Sequence, residues 1–304
     1  MPGHSVAALT WYPLLSCTGG PFELRTFWGI EDDFYCAGFD SVFTFLENVL
    51  EEVINLFPSK YIHIGGDEAP KVRWEKCSKC QRRIRKEGLH DEHELQSYFI
   101  TRIEKFLNTK GRQIIGWDEI LEGGLADGAA VMSWRSMKGG IEAVGLGHKV
   151  VMTPAPFVYL DYTQGDYSVE NKIYADLSLK TAYSFEPVPD FVLDPELILG
   201  GQGNLWTEDV PSLSFAFYMT YPRAMALSES LWSSKANKNW ESFLTRTTSH
   251  FERFDERKIN IAKTIYEPEV HVYKEGRKLM CKLTNSFSDI DMHYTIDNTY
   301  PVSF

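Results

Sequence analysis

Five short apolar runs punctuate the chain: Tyr61-Ile62-His63-Ile64, Gln113 to Trp117, Ala130 to Trp134, Lys149 to Thr153 and Ile198 to Gln202. Each is apolar on both faces, as a strand buried in a parallel sheet must be. Between them the pattern changes period. Val42, Phe45, Leu46, Val49, Leu50, Val53, Ile54 and Phe57 recur at helical spacing, and Pro58 stops the run. Leu95, Phe99, Ile103, Phe106 and Leu107 repeat the pattern, with Gly111 just past the end. Tyr218 to Trp232 and Trp240 to Phe254 predict two more helices. Strand alternating with helix implies an α/β fold with a parallel sheet.

The residues that follow the strands favour a barrel over an open sheet. No Gly-rich dinucleotide fingerprint follows any strand. Polar and aromatic residues stand there instead: Asp67 and Glu68, Trp117 and Asp118, Trp134 and Arg135, Tyr159 and Asp161, Trp206 and Glu208. A (β/α)8 TIM barrel collects its active site from those positions. Closure needs roughly eight strands, so the first strands are expected to be missing from this chain. After Ile265 the period becomes two, in Val270 and Val272, then Leu279, Cys281 and Leu283, then Ile290, Met292, Tyr294 and Ile296. This predicts the start of a small C-terminal antiparallel β module. The expected domains are a partial barrel over 1–262 and a partial β-sandwich module over 263–304.

Composition narrows the partners. The 304 residues carry a net charge of −11, which argues against nucleic acid and anionic membrane surfaces. No run approaches the ~18 apolar residues of a membrane span. Eight tryptophans suit a carbohydrate ligand, because an indole packs against the apolar face of a pyranose. The five cysteines are too few for a disulfide framework. Cys77-Ser78-Lys79-Cys80 is a lone CxxC, read as structural or incidental rather than as a metal site, and Cys17 could pair with Cys36 in an exported protein. No metal and no cofactor is expected.

The chemistry concentrates at Asp67-Glu68. Gly65-Gly66 can release the backbone from strand geometry so that both carboxylates reach one pocket. Adjacent residues do not easily stand on opposite sides of an anomeric carbon, as the ~5–5.5 Å pair of a conventional retaining glycosidase does. The pair suits substrate assistance, in which the 2-acetamido carbonyl is the nucleophile. On its own, Gly-Gly-Asp-Glu also reads as a tight turn with a helix-start acid.

The wider set of motifs resembles the family 20 glycoside hydrolases, the β-N-acetylhexosaminidases. His63 to Glu68 matches their His-x-Gly-Gly-Asp-Glu signature. Met1-Pro2-Gly3-His4, Gly116-Trp117-Asp118-Glu119, Ser133-Trp134-Arg135, Tyr159-Leu160-Asp161-Tyr162 and Asn204-Leu205-Trp206-Thr207-Glu208 match further motifs in order. The likeness covers residues 1 to about 260. It implies an exo-acting, retaining enzyme that removes terminal N-acetylglucosamine or N-acetylgalactosamine from oligosaccharides or glycoconjugates. By resemblance Glu68 is the general acid/base, Asp67 orients the acetamido group, and Tyr159 hydrogen-bonds its carbonyl. Trp117, Trp134 and Trp206 wall the sugar, Asp161 and Glu208 bind its hydroxyls, and His4 supports the acid.

The family also carries an Arg at the end of the first barrel strand, and no residue here matches it. Met1 falls inside a family motif, so the chain is expected to start near the third strand end. No signal peptide is visible, and a periplasmic or secreted location is implied by resemblance only. His63 is expected to be structural, Asp118 and Glu119 to act behind the site at most, and Arg135 to anchor a loop or pair with a carboxylate. Two other readings stay open. One is a sugar-binding protein of the same fold without catalysis. The other is a metal-dependent barrel enzyme using Asp67, Glu68, Asp118 and Glu119, which the flanking tryptophans disfavour.

Overall fold

The fold, obtained as a computed structural model, describes residues 2–165, 170, 174–287, 290–297, 299 and 301. Five parallel strands form one sheet: β1 (Tyr61–His63), β2 (Gln113–Trp117), β3 (Ala130–Ser133), β4 (Val150–Met152) and β5 (Ile198–Gly201). They lie in chain order, each beside its successor. The order never reverses, so there is no switch point of the doubly wound kind. Sequential parallel neighbours are the wall of a barrel, as the residues that follow the strands predicted.

The register explains why both strand faces are apolar. Pairing of Ile115 with Ala130 and of Trp117 with Met132 puts Ile115, Ala130, Trp117 and Met132 on one face, with Tyr61 and Val151 packed against them. Ile114, Val131 and Val150 point the other way and are fully buried. Helices Asp40–Leu56 and Glu92–Thr109 pack together, and the latter covers β2; helix Met137–Gly145 covers β3 and β4. Asp91 caps the second of these, accepting from the His93 and Glu94 amides at 2.9 Å each.

The chain divides into two compact units. One holds residues 1–155 and 187–202, including the parallel sheet; the other holds 156–186 and 203–304. The second unit contains helices Leu213–Thr220, Arg223–Trp232 and Trp240–Glu256. The single helix expected over 218–232 is therefore two. Pro222 lacks the amide that would continue the first, and it is the residue preceding the second.

The second unit also holds the antiparallel pair β6 (Glu269–Glu275) and β7 (Lys278–Thr284). These are the first two alternating segments. The third, Ile290 to Ile296, forms no strand among the described residues. Every position of β6 is exposed, so this ribbon offers no buried face for a third strand to complete.

Candidate active site

The end of β1 carries the adjacent carboxylates. Gly65 (φ +72°) and Gly66 (φ +103°) turn the chain out of the strand, and Glu68 itself takes a left-handed φ of +45°. Gly66 is required on two counts: its φ, and a Cβ there would lie 2.3 Å from Ile120 Cγ2. The buried Gln96 side chain holds the turn from behind, donating to the carbonyls of Gly66 (3.2 Å) and Glu119 (3.3 Å). Lys71 in turn bonds Gln96 and the Ala69 carbonyl. Neither Gln96 nor Lys71 stood out in the sequence, because a lone polar residue in a helix or loop carries no spacing signal.

His4 arrives from 63 residues upstream and bridges both acids. Its Nε2 lies 3.0 Å from Asp67 Oδ2 and 3.2 Å from Glu68 Oε2. Gly3 allows the approach, since a Cβ there would sit 2.5 Å from the Asp67 carbonyl oxygen. The shared imidazole separates the acids electrostatically. The Asp67 hydrogen bond raises the His4 pKa against the opposing effect of burial. Burial works against the Asp67 carboxylate, but the hydrogen bond and charge of His4 outweigh it and hold Asp67 below the usual range. Burial, helped by the Asp67 charge, pushes Glu68 upward against the pull of His4.

The ends of β2 and β3 supply the next layer. Trp117 is half-buried, edge-on to His63 at 4.8 Å. His63 accepts the Gly65 amide at 3.1 Å through Nδ1, the structural part expected of it. Asp118 and Glu119 open a short 3-10 helix, Asp118–Leu121, and are both buried. Arg135 pairs with Asp118 (3.2 Å) and Glu122 (3.2 Å), as its position suggested. Trp134 Nε1 donates to Glu119 Oε2 at 2.8 Å, which orients the indole. Burial, only partly offset by that bond, pushes Glu119 up to about 7. Asp118 and Glu119 thus work on Arg135 and Trp134, not beside Asp67 and Glu68 in one cluster of possible metal ligands. Glu68, Glu119, Trp134, Arg135 and Ile30 line a cleft of about 360 Å³.

The second unit brings together the residues that follow β4 and β5. Tyr159 pairs with Asn204 in a parallel bridge, and the Leu160 amide donates to the Asn204 carbonyl at 2.6 Å. Trp206 stands edge-on to Tyr159 at 6.2 Å and is partly exposed. Tyr159 is buried, and burial raises its pKa, so the phenol keeps its proton. Asp161 is buried and accepts from the Tyr174 hydroxyl; burial raises its pKa against that bond. Glu208 is exposed.

Sequence reasoning missed Arg223. It is fully buried and donates to the carbonyls of Leu160 (2.6 Å), Tyr162 (2.8 Å), Leu177 (3.1 Å) and Met219 (2.6 Å). Burial lowers its pKa to about 9, so it stays charged at neutral pH. It fixes the backbone on both sides of Asp161. The cysteines also differ from expectation. Cys17, Cys36, Cys77 and Cys80 gather in one place in the first unit as free thiols, so the CxxC has partners and Cys17 is not bonded to Cys36. Those partners lie 41 and more residues away, which no local spacing reveals.

Comparison with known proteins places the chain in a family. The model of "Glycosyl hydrolase family 20, catalytic domain" matches residues 1–235. A β-hexosaminidase of Porphyromonas gingivalis is 44% identical over 99% of this chain and 40% of its own length. One of Vibrio furnissii is 35% identical over 76% of this chain and 39% of its own. Among solved structures, an exo-β-N-acetylglucosaminidase of Vibrio harveyi, in complex with N-acetylglucosamine, aligns with TM-score 0.76 and 31% identity. The alignment covers 87% of this chain and 42% of that one. The chain therefore spans about 40% of the length of these curated relatives.

Proposed function

Because the chain belongs to glycosyl hydrolase family 20, we propose that it carries the acid/base machinery of an exo-β-N-acetylhexosaminidase with a retaining, substrate-assisted mechanism. The observation that carries this reading is the shared contact of His4 with two adjacent carboxylates. Possible ligand atoms of His4, Asp67 and Glu68 all lie within 4.8 Å of one another. A sugar has no room between two acids on one imidazole, so a protein nucleophile opposite the acid is disfavoured. The environments also push the two pKa values apart, which divides acid from anion.

Glu68, held toward its protonated form, gives its proton to the glycosidic oxygen as the bond to the anomeric carbon breaks. The substrate's acetamido carbonyl oxygen closes on that carbon and forms an oxazolinium ion. Asp67, kept anionic, accepts the acetamido N–H and balances the positive charge. Glu68, now a carboxylate, takes a proton from water as the water oxygen attacks the anomeric carbon. The ring opens and configuration is retained. Tyr159, protonated throughout, donates to the acetamido carbonyl. Trp117, Trp134 and Trp206 pack on the sugar, and Asp161 and Glu208 bind its hydroxyls. The substrate class is an oligosaccharide or glycoconjugate ending in N-acetylglucosamine or N-acetylgalactosamine. Export to the periplasm or medium belongs to the same proposal.

The test uses the full-length protein. Chromogenic N-acetyl-β-glucosaminide should be cleaved and the plain β-glucoside spared, and a thiazoline mimic of the oxazoline should inhibit. Glu68→Gln should slow substrates with poor leaving groups most, by about 10²–10⁴-fold. Equal cleavage of plain and N-acetylated glycosides would rule out substrate assistance. Binding of N-acetylglucosamine without turnover would replace the enzyme reading by a sugar-binding one.

A further inference from the structure

Cys17, Cys36, Cys77 and Cys80 place their sulfurs within 4.8 Å of one another. The separations are 3.7 Å for Cys17–Cys80, 3.7 Å for Cys36–Cys77 and 3.6 Å for Cys36–Cys80. Four thiolates bound at about 2.3 Å to one tetrahedral zinc stand about 3.8 Å apart along each edge. We propose that these four cysteines form a structural zinc site, separate from the carboxylate pair.

The surroundings are those of a ligand set rather than of four small hydrophobes. Cys77 precedes helix Ser78–Glu87 and Cys80 lies in its first turn, so one helix start presents both sulfurs to the cluster. Gly38 is pressed against the same turn: a Cβ there would lie 2.2 Å from the Lys79 carbonyl carbon. Its amide donates to the Cys36 sulfur. Arg73 lies close enough for its charge to interact with Cys17, which offsets part of the negative charge of a tetrathiolate. Cys36, Cys77 and Cys80 are buried, so a bound ion would be shielded from solvent.

The site also has something to hold. Residues 17–34 contain no helix or strand, and the only ladder contact at their ends is the bridge of Ser16 with Tyr35. A loop of this length without structure of its own is uncommon in a compact domain. Ile30, within it, lines the cleft that contains Glu68. Zinc at the four sulfurs would close the loop at both ends onto the helix that starts at Ser78. Each thiol that ligates gives up its proton, so loading is weaker at low pH.

The test is metal analysis of the full-length protein, purified without chelator. About one zinc per chain is expected. Cys36→Ser should lower that content at least about tenfold, and Cys281→Ser, exposed on β7, should leave it unchanged. Should Cys36→Ser fail to fold, the wild-type protein is stripped under reducing conditions and loaded with cobalt(II). The absorption of a tetrahedral cobalt tetrathiolate, displaced by zinc, supports the site. Stripping should also speed proteolysis within residues 18–35. A zinc-free wild type that resists proteolysis would overturn the proposal. So would iron in place of zinc, or disulfides joining Cys17 to Cys80 or Cys36 to Cys77 in non-reduced peptide maps.

Discussion

Replacing Arg223 tests how the second unit holds Tyr159 and Asp161. The guanidinium spreads its donors over four carbonyls from three stretches of chain: Leu160 and Tyr162, Leu177, and Met219. Arg223→Met keeps much of the volume and removes every donor. Each abandoned buried carbonyl costs about 1–3 kcal/mol. The losses do not add fully, because the charge no longer has to be desolvated and water can reach some of the gap. Breaking a buried charged network of this kind typically costs about 3–5 kcal/mol. With about 2.1 cal/mol/K of unfolding entropy per residue, that is a fall in melting temperature of roughly 5–8 °C for the 304 residues. Arg223→Lys should recover little, since an ammonium has three donors and no planar fork. The assay is calorimetric melting of the full-length variants, with kcat and KM measured well below the transition. Melting of Arg223→Met within about 2 °C of wild type, or full rescue by lysine, would refute the idea that the fork holds this loop.

His4→Ala removes the cation that both acids share. The raised His4 pKa contributes stability that is complete below the unfolded value near 6.5 and is lost as pH rises through the folded value. The lowered Asp67 pKa contributes stability that is complete above its unfolded value of 3.8 and is lost as pH falls through the folded value. Urea titrations should therefore show the gap between wild type and His4→Ala widest near pH 5 and narrowing by pH 9; a gap independent of pH would refute the linkage. Gly66→Ala should cost more than about 2 kcal/mol, because its φ of +103° and the 2.3 Å approach to Ile120 forbid a Cβ. A variant with an unchanged urea midpoint would show that the turn relaxes freely.

The parts of this molecule readable in the sequence are those encoded by period or by a run of neighbours. All five parallel strands carry apolar side chains on both faces, and each was visible as a short run. The turn at Gly65-Gly66 and the carboxylates beyond it are contiguous, so their chemistry could be reasoned about before any fold. Helix Leu213–Thr220 and its break at Pro222 were harder. Apolar residues continue across the break, and periodicity cannot distinguish a long helix from two short ones. The stretch Ile290 to Ile296 alternates as a strand should, yet alternation forms a strand only where a ladder partner and a face to bury exist. Arg223 and the four cysteines were illegible for a further reason. Their meaning lies mainly in groups 41 to 63 residues away, brought together only by the tertiary fold.

Among the described residues only three other than glycine adopt positive φ, and two of them are His4 and Glu68. For an L-residue that conformation costs about 1–2 kcal/mol, and glycine or asparagine would take it with less strain. A chain shaped for endurance alone would therefore have no reason to keep a glutamate and a histidine at these two points. Their side chains meet, so both local costs fall at a single place. Local stability is lower there than glycine at either point would give, so the strain concentrates at the pair on which the proposed chemistry rests.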